Sequence, residues 1–330
     1  MTDQLPKRKV GASGIEVSAI GFGCMSLSGV YGPSDDEAGV ALIQAAIDRG
    51  VTLIDTADMY GWGHNEQLVG RAIAGRRDKI VLATKFGNLG GRDGKYADGR
   101  PEYVAIACEA SLKRLGVDVI DLYYQHRVDP NVPIEDTVGA MARLIQQGKV
   151  RALGLSEARP DTIRRAHKVH PIAAVQNEDS LLYREEAEAA REATRPLGIS
   201  LVAYSPLGRG LLTARGEEPN ALPEGDPRAR HPRFAGDNFT HNRELVARIE
   251  TIARQKGCTQ AQLVLAWLLA QGPDVIPIPG TKRLPRLEEN LGALNVKLSA
   301  DEVKHIADAI PAGAAAGTRY PEPQMRSVYL

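Results

Sequence analysis

Two periods of apolar and polar positions alternate along this chain. Short runs rich in β-branched and small apolar residues recur at 19–24, 51–55, 80–85, 119–125, 150–155, 173–176, 199–204 and 275–279. Runs of this length and composition read as buried strands. Between them, apolar residues return at about the 3.6-residue spacing of a helix. Such stretches lie near 66–74, 101–115 and 134–147, after Pro160, and near 184–196, 243–256, 259–270 and 300–309. Before the second run, Ser34 and Glu37 have capping-box spacing ahead of Val40, Leu42, Ile43, Ala46 and Ile47, and Gly50 ends that helix. Thr259 with Gln262 repeats the capping-box spacing, and Ser299 and Glu302 stand at the start of the last helix.

Regular alternation of strand and helix predicts a parallel sheet. About eight such units in 330 residues favour a closed (β/α)8 TIM barrel over an open doubly wound sheet, an alternative that periodicity alone leaves standing. Small turn residues at Val10-Gly-Ala-Ser-Gly-Ile15 add an N-terminal β-hairpin. No linker or shift in composition divides the chain, so residues 1–330 are expected to form a single domain. A Gly-, Pro- and Arg-rich stretch at about 208–242 reads as a long functional or mobile loop. The end of the chain, about 311–330, reads as a flexible tail.

Composition narrows the partners. Lys plus Arg and Asp plus Glu both number 41, which leaves no global field to attract nucleic acid or an anionic membrane. Cys24, Cys108 and Cys258 are few, odd in number and far apart, which argues for a reducing compartment rather than a disulfide framework. The first nine residues contain no apolar signal-peptide core, and the longest apolar run, near 263–270, is too short to span a bilayer. A soluble cytoplasmic protein is expected. Its oligomeric state is not legible.

The candidate chemistry lies at three strand ends. The run at 51–55 closes on Asp55, with Tyr60 one loop further on. The next two end at Lys85 and His126. Barrel enzymes carry their chemistry at the C-terminal ends of the strands. A phenol titrates near pH 10, and a neighbouring ammonium favours its ionised form, which makes Tyr60 beside Lys85 a candidate proton shuttle. Asp55 would keep Lys85 charged, and His126 would orient a carbonyl or share its proton. Other motifs are missing. Gly208-Arg-Gly210 fails to continue as a dinucleotide fingerprint at Thr213, and neither a Walker A sequence nor an HExxH helix occurs. Gly154-Leu-Ser-Glu-Ala158 lacks the second glycine of a nucleophile elbow.

Asp55-Thr-Ala-Asp-Met-Tyr60, Thr84-Lys85 and Gln125-His126 resemble the Asp, Tyr, Lys and His tetrad of the aldo-keto reductase family. Gly154-Leu-Ser156, Val175-Gln-Asn-Glu178, Ala203-Tyr-Ser-Pro-Leu-Gly-Arg-Gly210 and Pro277-Ile-Pro-Gly-Thr-Lys-Arg283 resemble its cofactor segments, in order and over nearly the whole chain. The pattern looks most like the subgroup of pyridoxal and aryl-alcohol reductases.

The resemblance implies an NADPH-dependent reductase of aldehydes or ketones, with Tyr60 as general acid, Lys85 and His126 assisting, Asp55 on Lys85, and no metal. Ser156 and Gln176 would hold the nicotinamide carboxamide and Tyr204 would stack on its ring. Ser205, Leu207, Gly208 and Gly210 would line the pyrophosphate. Gly280, Thr281, Lys282 and Arg286 would surround the adenosine 2′-phosphate, with Glu289 and Asn290 on the adenine. The same resemblance extends to nucleotide-sensing binding subunits such as potassium-channel β subunits, which an intact tetrad does not separate from an enzyme. Two positions depart from the pattern. Glu157 stands where many relatives have asparagine, which places one carboxamide contact in question. Asp179 follows Glu178, either at the pocket rim or only at the surface. Candidate substrate-pocket residues are Met25, Tyr31, Trp62, Phe86 and Arg127, with the loop near 228–239.

Overall fold

The computed structural model describes residues 5–213, 222 and 224–330. Eight parallel strands form one sheet in chain order: β3 (Phe22–Gly23), β4 (Leu53–Asp55), β5 (Val81–Phe86), β6 (Ile120–Gln125), β7 (Val150–Ser156), β8 (Ile172–Glu178), β9 (Ser200–Tyr204) and β10 (Val275–Pro277). The first and last strands meet where Gly21 N–H donates to the Pro277 carbonyl at 2.9 Å, which closes the sheet into the expected barrel. Gly21 has to be glycine there, because a Cβ would stand 2.9 Å from the Ile278 side chain.

The helices α1 (Asp36–Asp48), α2 (His64–Ile73), α3 (Pro101–Leu115), α4 (Ile134–Gln146), α5 (Pro160–Val169) and α6 (Glu185–Thr194) each follow a strand. They are joined by α7 (Gly236–Lys256), α8 (Gln260–Leu269), α9 (Leu284–Leu291), α10 (Ala300–Ala309) and the short α11 (Glu322–Met325). Alternation along the strands splits the core in two. Phe22, Ile54, Leu82, Tyr123, Leu153, Val175 and Leu201 face the helices. Leu53, Ala83, Leu122, Tyr124, Ala174, Val202 and Ile276 fill the barrel interior. An antiparallel hairpin, β1 (Lys7–Lys9) and β2 (Glu16–Ser18), adds Val10, Ile15 and Val17 to the interior cluster. Tyr124 occupies the space that Gly154 leaves on the neighbouring strand, where a Cβ would lie 2.3 Å from its ring.

Three local expectations are corrected. The cap of α1 is Asp35, whose carboxylate accepts from Ala38 N–H at 2.7 Å, whereas Ser34 Oγ accepts from Gly29 N–H at 2.9 Å. Glu37 turns outward to Arg71. The loop expected at about 208–242 is shorter, since single-turn helices occupy Pro227–Arg230 and Pro232–Phe234 and α7 starts at Gly236. Its segment 214–221 and residue 223 lie outside the described residues, as does the start of the N-terminal stretch at 1–4. The expected flexible tail instead packs on the barrel, with Arg319 and Val328 buried. Both later caps are present, at Thr259 and Gln262 and at Ser299 and Glu302. Among the described residues, no helix is long and apolar enough to cross a membrane.

A helix cap contributes about 0.5–2 kcal/mol. Asp35→Ala is therefore expected to lower the denaturant midpoint by that amount with an unchanged slope, while Ser34→Ala stays within about 0.5 kcal/mol of wild type. Equal losses for both variants, measured by urea unfolding, would return the cap to Ser34.

Candidate active site

At the open end of the barrel, β4 and β5 deliver a carboxylate and an ammonium to one point. Lys85 is fully buried, and its Nζ donates to Asp55 Oδ1 at 2.5 Å, to the Thr56 carbonyl at 2.8 Å and to Tyr60 Oη at 3.3 Å. Its three donors are thus all used. The second Asp55 oxygen accepts from Gln176 Nε2 at 2.9 Å. Tyr60 reaches the cluster because the chain after Asp55 turns sharply, with left-handed backbone at Gly61, Trp62 and Gly63. The His126 ring meets Tyr60 edge-on, with centroids 5.7 Å apart. The four predicted residues therefore converge.

The charges at this point are fixed by burial as much as by neighbours. Burial pulls the Lys85 ammonium down, but Asp55 and Tyr60 outweigh it and hold the group above its usual range. Burial raises the Tyr60 phenol, and Lys85 pulls it down without cancelling that rise. The expected ammonium effect is present, yet the net result is a phenol that stays protonated. Burial, then the positive charges of Arg127 and Lys85, push His126 well below its ordinary range, so its imidazole is neutral. Its buried Nδ1 has no hydrogen-bond partner. A neutral ring offers one N–H to a carbonyl oxygen and holds no spare proton to share.

From Tyr60 a cleft of about 650 Å³ runs across the barrel mouth to α9. Ser156, Gln176 and Tyr204 line it beside the tetrad. Ser205, Leu207 and Gly210 follow, and Gly280, Thr281, Lys282, Arg286, Glu289 and Asn290 form the far wall. Gly208 is buried just behind the lining. The chain after β9 is left-handed at Ser205, Gly208, Arg209 and Gly210. Two of the far-wall cations already have partners. Lys282 Nζ donates to the carbonyls of Tyr31 at 2.9 Å and Gly32 at 2.6 Å, bridging two rim loops. Arg286 pairs with Glu289.

Two of the expected pocket residues, Phe86 and Trp62, are elsewhere, while the loop near 228–239 lines the cleft through Arg228, His231 and Phe234. Phe86 points away from the cleft and stacks on Tyr123 at 5.0 Å, because it follows the inward Lys85 on the strand. Trp62 is 47% exposed and lies against the Arg92 guanidinium on the rim. Met25, Tyr31 and Arg127 do line the cleft. Arg127 donates through Nη1 to the His126 carbonyl at 2.7 Å and to Ser156 Oγ at 3.4 Å. Asp179 is neither rim nor surface. It is buried against Arg191, and burial carries its carboxyl up to about 7 despite that partner. Glu157 adopts left-handed backbone and turns its carboxylate away to Arg319. Sequence reasoning missed Arg319. The available signal was an unmatched carboxylate, Glu157, directly after an apolar strand.

The model of the Aldo/keto reductase family matches residues 19–311. "Probable aldo-keto reductase 1" of Glycine max is 50% identical over 321 residues, covering 96% of this chain and 92% of that protein. The NADP(+) aldo-keto reductase yakc of Schizosaccharomyces pombe is 48% identical over 324 residues, covering 96% of this chain and 95% of its own. Among solved structures, a glycerol dehydrogenase of Gluconobacter oxydans superimposes with a TM-score of 0.82 at 30% identity, covering 92% of this chain and 94% of its own.

The depressed His126 has a pH signature. The unfolded chain takes up a proton near pH 6.5 that the folded site resists, so stability is present above that pH and is lost as pH falls through it. His231, pushed down to about 4 mainly by burial, adds a loss of the same sign, so the informative quantity is a difference. His126→Asn is expected to lose less unfolding free energy than wild type between pH 7 and pH 5 (roughly a one- to two-unit window around the free imidazole value). Parallel pH profiles for the two proteins would show that His126 titrates normally.

Proposed function

The chain belongs to the aldo/keto reductase family, and we propose that it is an NADPH-dependent carbonyl reductase with Tyr60 as proton donor. The observation carrying this reading is the buried Lys85 ammonium, held between Asp55 and the Tyr60 hydroxyl beside a neutral His126. NADPH held in the cleft would supply the hydride for the carbonyl carbon. As the carbonyl electron pair moves onto oxygen, the Tyr60 O–H donates its proton there and Lys85 stabilises the phenolate left behind. Solvent then returns the proton to Tyr60. The His126 N–H orients the carbonyl oxygen, and Asp55 keeps Lys85 charged and in place.

The cleft is compatible with a dinucleotide along its length. Ser156 Oγ and the Gln176 amide are assigned to the carboxamide and the Tyr204 ring to the nicotinamide face, for which a flat aromatic surface is suited. The turn Ser205–Gly210 is assigned to the pyrophosphate, which Ser205, Leu207 and Gly210 would line with Gly208 behind them. Gly280, Thr281, Lys282 and Arg286 are assigned to the 2′-phosphate at the start of α9, a recurrent phosphate position after the last barrel strands. Glu289 and Asn290 are assigned to the adenine. A phosphate oxygen would take the place of Glu289 on the Arg286 fork. NADP(+) stands in the name of the Schizosaccharomyces pombe relative, which supports the same choice. Met25, Met59 and Tyr96 are assigned to the substrate end, whose apolar and aromatic walls suit aldehydes and ketones with such groups, while Tyr31 lines the cleft beside Lys282.

General acid catalysis contributes roughly 10²–10⁴-fold, so Tyr60→Phe is expected to lower kcat for aldehyde reduction by about that factor while leaving NADPH binding unchanged. Turnover retained in Tyr60→Phe would overturn the mechanism. A hydrogen bond to a charged group contributes about 1.5–3 kcal/mol, and about 1.4 kcal/mol is tenfold in affinity. Arg286→Ala should therefore weaken NADPH by roughly 10–100-fold and NADH much less. Equal losses for the two cofactors would reassign Arg286 to the fold or the adenine.

A further inference from the structure

The C-terminal segment carries a guanidinium into the barrel mouth. Asn242 brackets Ala316, accepting its N–H at 2.8 Å and donating to its carbonyl at 3.0 Å. Arg233 Nε donates to the Gly317 carbonyl at 3.3 Å, and Arg209 Nη1 to the Arg319 carbonyl at 3.2 Å. Backbone fixed in this way directs the Arg319 side chain inward, where it is 1% exposed. There it forms a two-pronged fork on Glu157, Nη1 to Oε1 at 2.7 Å and Nη2 to Oε2 at 2.5 Å, and also pairs with Glu186. Nη1 donates in addition to the Tyr204 hydroxyl at 3.2 Å, and that hydroxyl bonds Tyr320 Oη at 3.0 Å.

The partners of Arg319 are the point of interest. Tyr204 lines the cleft, and Glu157 follows Ser156, which lines it too. Glu157 is held in left-handed backbone, unusual for a residue with this side chain, and its Oε1 also accepts the Glu178 N–H at 3.0 Å. Arg319 itself does not line the cleft. A phenol ring anchored only at its Cα end swings about two torsions, whereas two bonds on its hydroxyl fix the plane. A charged fork is the stronger kind of restraint for the neighbouring turn.

We propose that Arg319 is a positioning residue for hydride transfer: through Glu157 and the Tyr204 hydroxyl it holds the Tyr204 ring and the Ser156–Glu157 turn in the orientation that receives the nicotinamide. The proposal rests on the assignment of Tyr204 and Ser156 to the nicotinamide end. Arg319 acts only on that end of the cleft. The adenosine end, at α9, is built from other segments.

The test compares Arg319→Met, Arg319→Lys, Glu157→Gln and the double variant Glu157→Gln/Arg319→Met in the full chain. Dissociation constants are measured for NADPH and for adenosine 2′,5′-bisphosphate, which lacks the nicotinamide, alongside thermal stability and kcat. Arg319→Met should weaken NADPH by roughly tenfold, the scale of one lost charged hydrogen bond, and lower kcat, while bisphosphate binding is unchanged. Removing the fully buried one of the two carboxylates that Arg319 leaves behind, Glu157, should return most of the thermal stability in the double variant but not NADPH affinity. Arg319→Lys should recover part of the affinity. Should Arg319→Met fail to fold, the double variant carries the comparison. The proposal is overturned if the double variant regains NADPH affinity together with stability, since Arg319 then only balances charge. It is also overturned if a folded variant lacking Arg319 binds NADPH as wild type does, or loses the bisphosphate equally. Wild type binding both probes equally tightly would instead sink the assignment of the nicotinamide end itself, and this proposal with it.

Discussion

A fully buried ammonium is the constraint on which the open end of this barrel depends. Lys85 is out of contact with water, and an unpaired charge in that position is untenable. The fold answers it with Asp55 at the end of the preceding strand, the Thr56 carbonyl and the Tyr60 hydroxyl. Asp55 in turn needs its other oxygen satisfied, and Gln176 reaches across the barrel from β8 to do so. Breaking a buried pair of this kind costs about 3–5 kcal/mol, because the surviving charge is left without a partner. The requirement to solvate one ammonium internally thus fixes where a carboxylate, an amide and a phenol must stand.

The same logic repeats, with opposite sign, on the far side of the mouth. Two buried carboxylates, Glu157 and Glu178, follow β7 and close β8. Glu178 is met by Arg209 at 2.8 Å and Arg233 at 3.1 Å, and Glu157 by Arg319. Each guanidinium comes from a different segment: the turn after β9, the stretch before α7, and the C-terminal segment. These segments are in this way tied to strand ends by charge, in addition to the apolar side chains Leu211, Leu212 and Phe234 that they add to the core. Three segments around the cleft are thus each anchored to a strand end by a buried ion pair, the kind of fixed placement that catalysis by positioned groups requires.

Much of the barrel was legible in the order of residues. All eight strands fall where apolar runs predict them, since burial on both faces of a parallel strand demands such runs. Alternation also contained more than was drawn from it. With Lys85 inward, Phe86 had to face the helices, so its place in a substrate pocket was already excluded by the period of two. Adjacent capping candidates were harder. Ser34 and Asp35 are both good caps, and choosing between them depends on which residue the incoming loop leaves extended.

By itself, then, the sequence determined the strand and helix period, the strand-end placement of Asp55, Lys85 and His126, and the later caps, because each of these rests on spacing of a few residues. Tertiary structure alone decided the ionisation of Tyr60 and His126, which is set by how deeply the closed barrel buries them. It also decided the partners of Glu157 and Asp179. Arg319 meets Glu157 across 162 positions of chain, from a tail with no periodic pattern, and no local spacing encodes an approach of that length. Such contacts form only when the barrel has closed and the tail has crossed its mouth, and there the charge left unmatched on one segment selects the charge carried by another.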